Sequence, residues 1–137
     1  IVGQETDGSI TPVDLDMDWI VSKKKYDFIG KRALNRSDTI KKDRKQLVGL
    51  KTKDPKKILE EGAQLVEKVS RPPMAMIGHV TSSYYSPNLG RSIALALVKE
   101  GLKKKGQTIY APMPDKTIEV QICNPVFIDP SNERLSA

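Results

Sequence analysis

The chain is poor in the residues that build most catalytic and metal centres. It has one cysteine, Cys123, and one histidine, His79, in 137 residues. One cysteine excludes an internal disulfide and a thiolate metal cage, and one imidazole cannot form a multi-histidine site. Cys123 lies in an alternating stretch that predicts a small buried hydrophobic residue, not a nucleophile. No carboxylate lies near His79 in the sequence to orient it as a base, so we predict no catalytic residue and no metal site.

Phosphate-binding loops and membrane-spanning segments are missing as well. Neither Gly-x-Gly-x-x-Gly nor Gly-x-x-x-x-Gly-Lys occurs, so nothing marks a dinucleotide-binding fold or a phosphate-cradling loop. The hydrophobic content is 38%, and no apolar run approaches the length of a transmembrane helix, which predicts a soluble protein with no membrane partner. Asp14, Asp16 and Asp18 alternate, but the residues after them lack the glycine and the final glutamate of a calcium loop. We interpret these charges as favourable ones near a helix N-terminus.

Positive charge, in contrast, is abundant. The formal net charge is +6, and basic residues cluster at 23–25, 41–45, 56–57 and 103–105. Such a surface attracts nucleic acid, acidic lipid or polycarboxylates. Aromatic residues make up only 5% of the chain and no helical basic stripe occurs, so a nucleic-acid partner is not expected. Most of these lysines are interpreted as solvating the surface, while a basic module for subunit assembly or anion binding remains an open alternative.

The apolar pattern after residue 45 predicts a mainly β protein. Strand-like segments occur at 47–50, 64–66, 76–83, 92–99, 106–112 and 117–123. Between residues 92 and 97, isoleucine and leucine alternate with serine and alanine, which predicts a strand with the large residues buried and the small ones close-packed. The last two segments form a predicted hairpin across residues 113–116. Six short strands favour a small antiparallel barrel, which closes to remove its edges.

The first 44 residues predict a short helical or irregular extension ahead of this barrel. Local signals indicate a helix over 11–17, a strand over 19–21 and a helix over 27–35 with Phe28, Ile29 and Leu34 facing inward. The charged run 37–45 marks the boundary, so the predicted domains are 1–44 and 45–137. Because the chain begins at Ile1 without a methionine, we interpret it as a piece of a longer polypeptide.

Several motifs along the chain carry a family resemblance. Residues 78–98 read Gly-His-Val-Thr-Ser-Ser-Tyr-Tyr-Ser-Pro-Asn-Leu-Gly-Arg-Ser-Ile-Ala-Leu-Ala-Leu-Val. Ahead of them lie Gly3-Gln4-Glu5-Thr6-Asp7-Gly8, Trp19-Ile20-Val21-Ser22-Lys23-Lys24-Lys25 and Asp27-Phe28-Ile29-Gly30-Lys31-Arg32. In this order they resemble the end of the aminomethyltransferase family, the folate-binding T-protein of glycine cleavage, with its C-terminal barrel domain. The version at the end of sarcosine oxidase α subunits is more similar still.

The resemblance implies a function for the whole protein. Residues 1–44 would be the tail end of the folate-binding central domain, and the barrel would be one wall of a three-domain ring that holds tetrahydrofolate. The parent protein would support oxidative demethylation of sarcosine, with transfer of the one-carbon unit to tetrahydrofolate. Its FAD, FMN and NAD would lie elsewhere in the complex. The family's catalytic aspartate and pterin-binding glutamate would lie upstream, so the fragment alone is expected to be inactive. The implied partners are the upstream domains and the other sarcosine oxidase subunits, and the implied location is the cytoplasm.

The resemblance also implies residues that contact the cofactor. Trp19 aligns with the tryptophan of the family's Trp-(x5)-Arg segment, whose arginine lies near the glutamate tail of folate. Lys25 occupies the arginine position, and it offers a point charge in place of a bidentate fork. Lys23 and Lys24 are close enough to share the role. The alternative for Trp19 is a place in the core.

The bend between two predicted strands completes the set of candidate residues. Tyr84 and Tyr85 could stack on a ring of the cofactor or pack against a neighbouring domain. Arg91 could hold a carboxylate or cap the carbonyls of its own loop.

Overall fold

The structure, a computed structural model that describes residues 1–135, is built around a closed six-stranded antiparallel barrel. Its strands are β1 (Lys45–Thr52), β2 (Gln64–Val66), β3 (Met76–Ser86), β4 (Arg91–Lys99), β5 (Thr108–Pro112) and β6 (Thr117–Cys123). Their order around the barrel is β1-β4-β3-β2-β5-β6, closed by pairing of β6 with β1. The predicted mainly β fold and its six strands are confirmed, although β3 runs three residues further and β5 starts two residues later.

Within residues 1–135, helical structure is limited to short 3-10 helices. In the part of the chain that the structure describes, they span Asp18–Ile20, Ala33–Asn35, Gly101–Lys104 and Glu133–Leu135. None of these is long or apolar enough to cross a membrane. The division into domains at 44/45 stays a prediction, and residues 136 and 137 of the predicted barrel domain lie outside the described part.

Alternation along β4 places its small side chains inside the barrel. Ser92, Ala94 and Ala96 are at most 3% exposed, and the two alanines belong to the buried core cluster. Ile93 and Leu95 lie on the opposite face and are half-buried. The predicted two-faced strand is therefore confirmed, and Leu97 of its large-residue face is buried as predicted, but Ile93 and Leu95 are less buried than the small residues. A six-stranded barrel has a narrow interior, and its small residues leave room for the buried valine, leucine and isoleucine side chains of the other strands.

The extension contains neither an α-helix nor a named strand in residues 1–44. The predicted helix over 11–17 is a series of turns, in which Asp14 N donates to Thr11 O at 3.0 Å. The predicted strand over 19–21 is wrong because the Asp18–Ile20 3-10 helix occupies most of it. The predicted helix over 27–35 contains only turns and a short 3-10 helix, and Ile29, expected to face inward, is fully exposed. Of the predicted extension, the irregular form is the one observed.

A buried ion pair between Asp14 and Arg44 attaches the extension to the start of β1. Arg44 Nη2 donates to Asp14 Oδ2 at 2.6 Å, and Arg44 Nε lies 3.0 Å from Oδ1. The same guanidinium donates to the carbonyls of Ser9 and Asp38, while Leu47 N donates to Asp14 O at 2.6 Å. Burial alone would raise the pKa of Asp14, but hydrogen bonds from Arg44 and Thr11 outweigh it and lower this pKa. The interpretation of Asp14 as a helix N-terminal charge is therefore wrong.

Candidate functional site

A groove in the extension contains Lys25, one of the predicted cofactor residues. This extension groove has a volume of about 420 Å³. Most of its lining is apolar and consists of Pro12, Ile20, Val21, Phe28, Ile29 and Leu34. Ser22, Lys25 and Gly30 complete the lining. Lys25 N donates to Ser22 Oγ at 3.3 Å, and Lys31 Nζ donates to the carbonyls of Lys25 and Tyr26. Hydrogen bonds therefore connect Lys25 to Ser22 before it and to Lys31 after it in the chain.

The three adjacent lysines differ in their partners. Lys23 Nζ lies 2.5 Å from Asp18 Oδ2, and both side chains are exposed, so the pair contributes at most about 1 kcal/mol. Within residues 1–135, Lys24 and Lys25 have no ion-pair partner, and Lys25 alone of the three lines the extension groove. A cation beside an apolar wall suits a ligand that combines a carboxylate with flat apolar rings. Lys25 is therefore the best placed of the three for the predicted role.

Trp19 is exposed on the surface, and it directly precedes Ile20, which lines the extension groove. Its side chain is 78% exposed, so the alternative that placed it in the core is wrong. The Asp18–Ile20 3-10 helix has no buried residue. Ile20, Tyr26 and Ile29 are exposed as well. We call Trp19, Ile20, Tyr26 and Ile29 together the extension face. Ile20 and Ile29 lie together in the lining of the extension groove. Exposed apolar groups that lie together are typical of surfaces that contact another protein or a ligand.

Tyr84 and Tyr85 lie near the end of β3, away from the extension groove's lining. Both rings are about half exposed, at 59% and 46%. Tyr84 lines a second groove of about 490 Å³ between the extension, the outer face of the barrel and the C-terminal segment. Tyr85 lines none of the grooves described here. Neither tyrosine shares a groove with Lys25.

Arg91 begins β4 and lines a third groove, on the outer face of the barrel. Its Nη2 donates to the carbonyl of Thr52 at 2.6 Å. Because Thr52 belongs to the neighbouring strand β1, the alternative that Arg91 caps its own loop is wrong. Lys25, Tyr84 and Arg91 therefore line three different grooves, and the structure does not bring the predicted residues into one site.

Buried Glu5 is a polar residue that the sequence reasoning missed. It is 6% exposed, lines the same groove as Tyr84 and accepts a hydrogen bond from Ser82 Oγ. Burial raises the pKa of Glu5, and hydrogen bonds from Ser82 and Thr81 oppose that increase. Its partner Ser82 is 77 residues away in the chain, so no local pattern could have revealed this contact.

Within the described residues, the two reactive side chains, His79 and Cys123, belong to no cluster that could hold a metal ion. Burial, with a smaller effect of Lys45, lowers the pKa of His79, and burial raises the pKa of the Cys123 thiol. Cys123 is half-buried, which is less than the sequence predicted. Among residues 1–135, no group of three histidine, cysteine, aspartate or glutamate side chains could hold a metal ion.

Comparison with known proteins shows what this arrangement is similar to. Residues 45–129 match the family model of the glycine cleavage T-protein C-terminal barrel domain. Over 98% of its length the chain is 43% identical to sarcosine oxidase subunit alpha of Corynebacterium sp. (strain U-96) and 38% identical to that of Rhizobium meliloti (strain 1021). It is 33% identical over 93% of its length to an aminomethyltransferase of Thermotoga petrophila.

The chain spans only part of these relatives. It covers 14% of the length of each sarcosine oxidase subunit and 32% of that aminomethyltransferase. Among solved structures, glycine cleavage system aminomethyltransferase T from Bartonella henselae has the same fold, with a TM-score of 0.74 at 24% identity. That match covers 91% of this chain and 34% of the other.

Proposed function

Because the chain belongs to the family of glycine cleavage T-protein C-terminal barrel domains, we propose that it is the C-terminal part of a tetrahydrofolate-binding region in a sarcosine oxidase α subunit. In the whole protein this region supports oxidative demethylation of sarcosine and transfer of the one-carbon unit to tetrahydrofolate. The identity of 43% over 98% of the chain, against 33% for the aminomethyltransferase, supports the sarcosine oxidase assignment.

The rest of the complex supplies the remaining chemistry in this proposal. The chain corresponds to 14% of its sarcosine oxidase relative, so FAD, FMN and NAD sites belong to the other parts. In this proposal the family's catalytic aspartate and pterin-binding glutamate belong to the upstream part of the polypeptide, so the chain by itself is expected to turn over no substrate. The complex works in the cytoplasm, and the partners of this chain are the upstream domains and the other sarcosine oxidase subunits.

The observation that carries the folate proposal is Lys25 in the extension groove. Tetrahydrofolate ends in a glutamate tail, and a lysine without an ion-pair partner can form a charge-assisted hydrogen bond to its carboxylates. Lys24 is exposed and adjacent, and Lys23 is held only by an exposed ion pair, so both can share the charge. The exposed ring of Trp19 offers a stacking surface to the benzoyl or pteridine ring.

The extension face supports contact with the upstream part of the polypeptide. Its four large apolar side chains are exposed, and covering them removes apolar area from water, worth roughly 25 cal/mol per Å². We assign Tyr84 and Tyr85 to a contact with a neighbouring domain, since they share no groove with Lys25. Arg91 lines a separate groove on the outer face of the barrel.

Calorimetric titration with tetrahydrofolate tests this function. The 137-residue chain and the full α subunit are compared, and only the latter is expected to bind tightly because it supplies the rest of the pocket. In the full subunit, Lys25→Ala is expected to weaken binding about tenfold, the value of a hydrogen bond between charged groups. Lys42→Ala removes another exposed lysine of the extension and serves as the matched control. Equal effects of the two substitutions would contradict the assigned role of Lys25.

Subunit assembly is the second candidate function, and the extension face favours it. Under this alternative, Ile29→Ser weakens association with the upstream domains or other subunits, while Lys25→Ala leaves folate binding unchanged. Ile29 is fully exposed, so the substitution should leave the fold of the chain intact. Analytical ultracentrifugation of the mixed components measures this association. The folate titration separates the two functions, because only the folate-binding function predicts weaker folate binding for Lys25→Ala.

A further inference from the structure

A polar groove on the outer face of the barrel carries positive charge that the described part of the chain leaves uncompensated. This barrel groove has a volume of about 290 Å³, and its polar side chains come from four strands and the segment after β1: Lys51, Lys53, Arg91, Thr108, Glu119 and Gln121. The strand register explains the cluster. Lys51 on β1 lies opposite Gln121 on β6, and Gln121 lies opposite Thr108 on β5, so the three form one row across the sheet.

Among the described residues, Glu119 is the one carboxylate that lines the barrel groove, and it is already paired. Lys53 Nζ lies 2.9 Å from Glu119 Oε2. In the part of the chain that the structure describes, neither Lys51 nor Arg91 forms an ion pair, and a carboxylate that would balance them is missing from the groove. Two positive charges therefore remain without a counter-charge beside the neutral donors of Thr108 and Gln121.

The surroundings of Arg91 make this imbalance more costly. Its Nη2 donates to the Thr52 carbonyl, whereas its Nε is buried and has no hydrogen-bond acceptor among the described residues. The Nε side of the guanidinium is therefore shielded from water, and the Thr52 carbonyl, which is neutral, is its one hydrogen-bond acceptor among the described residues. An ionised group in this position is favoured by a nearby negative charge, which also forms the stronger type of hydrogen bond.

The neighbouring thiol is subject to the same positive field. Burial raises the pKa of Cys123, and the positive charges of Lys51, Arg91 and Lys105 oppose that increase by favouring the thiolate. Cys123 lies opposite Gly49 on β1, two residues before Lys51. The positive electrostatic potential of Lys51 and Arg91 therefore extends along the outer face as far as Cys123.

We propose that the barrel groove binds an oxyanion group, a carboxylate or phosphate of a small molecule, between Lys51 and Arg91. The Thr108 hydroxyl supplies a further hydrogen-bond donor, and so does the second N–H of the Gln121 amide, whose Nε2 also donates to the Gly106 carbonyl at 3.3 Å. The groove volume suits one such group and its immediate substituent. It shares no lining residue with the extension groove, so this site is separate from the one proposed for folate and does not depend on it.

Nuclear magnetic resonance titration of the 15N-labelled chain tests the site. Inorganic phosphate and glutarate are added separately at constant ionic strength, which is maintained with sodium chloride because exposed charges are screened by salt. Saturable shifts of the Lys51, Arg91 and Gln121 amides are expected. Arg91→Gln should weaken binding about tenfold or more, because it removes a charge-assisted hydrogen bond.

Two further variants keep the result interpretable. Lys51→Gln removes a charge without removing the Arg91–Thr52 contact and should weaken binding several-fold, whereas Lys68→Gln removes an exposed lysine away from the groove and should have no effect. Saturation by phosphate alone, by glutarate alone or by both supports the proposal and identifies the group. It is overturned by an absence of saturable shifts with either anion, by the same shifts with chloride, or by equal effects of Lys51→Gln and Lys68→Gln.

Discussion

Loss of the Asp14 charge should destabilise the protein more than loss of any exposed acidic charge. Asp14→Asn preserves the shape of the side chain but removes the charge that faces Arg44. The carboxylate is only 2% exposed, and the Arg44 side chain is 17% exposed. Removing one partner of a buried ion pair costs about 3–5 kcal/mol. Arg44 keeps the carbonyls of Ser9 and Asp38 as acceptors, so we expect the lower end, about 3 kcal/mol.

Urea unfolding followed by far-ultraviolet circular dichroism measures this loss. Asp18→Asn provides the matched control, since Asp18 forms an exposed ion pair with Lys23 and should contribute no more than about 1 kcal/mol. A double-mutant cycle with Arg44→Ala isolates the pair itself. The ion pair does not attach the extension to β1 if Asp14→Asn lowers the free energy of unfolding no more than Asp18→Asn does. Absence of coupling in the double-mutant cycle would lead to the same conclusion.

The same pair predicts a pH dependence. The folded-state pKa of Asp14 lies below its ordinary value of 3.8, so the unfolded chain takes up the proton first as the pH falls. The contribution of Asp14 is thus fully present above about pH 5 and is lost as the pH falls through the folded pKa. The stability difference between the original chain and Asp14→Asn should be constant near neutral pH and should shrink in acid. A stability difference that grows in acid would mean that folding raises the pKa of Asp14 and does not lower it.

Two packing predictions concern the barrel. A Cβ at Gly49 would lie 2.3 Å from the carbonyl oxygen of Asn124, so Gly49→Ala should displace the segment after β6 and lower stability by about 1–3 kcal/mol, measured by urea unfolding. Faster hydrogen exchange in that segment should accompany it, and an unchanged exchange rate would argue against the close approach. Ala96→Val adds volume to a fully buried core position and should also cost about 1–3 kcal/mol, whereas Ala75→Val at an exposed position should stay within about 0.5 kcal/mol. Equal melting temperatures for these two variants would show that the core tolerates the added methyl groups.

The strands could be predicted from the sequence because their signals are local. Alternation along β4 and the four-residue turn between β5 and β6 need only neighbouring residues, and both are present in the structure. The choice of face on β4 could not be predicted, since serine and alanine are buried here by the narrow interior and not by their own hydrophobicity. Residue identity predicted the alternation, and closure of the barrel decided which side became the core.

The candidate site could be predicted only in part. The Trp19-to-Lys25 segment places a cation beside an apolar groove, which agrees with the local pattern. Lys25, Tyr84 and Arg91 line three different grooves because the barrel separates the elements that carry them, and their contact with one cofactor stays a prediction. The Lys51 and Arg91 groove escaped prediction because its residues are adjacent only through strand register.

The sequence by itself determined the number, order and approximate limits of the six strands, since periodicity and turn residues act over a few positions. The path of the first 44 residues was decided only by the tertiary structure. Asp14 and Arg44 are 30 residues apart, and their pairing, together with the backbone bond from Leu47, holds residues 11–17 in turns where local signals favour a helix. Short segments have weak intrinsic preferences, and a buried ion pair with several hydrogen bonds outweighs them.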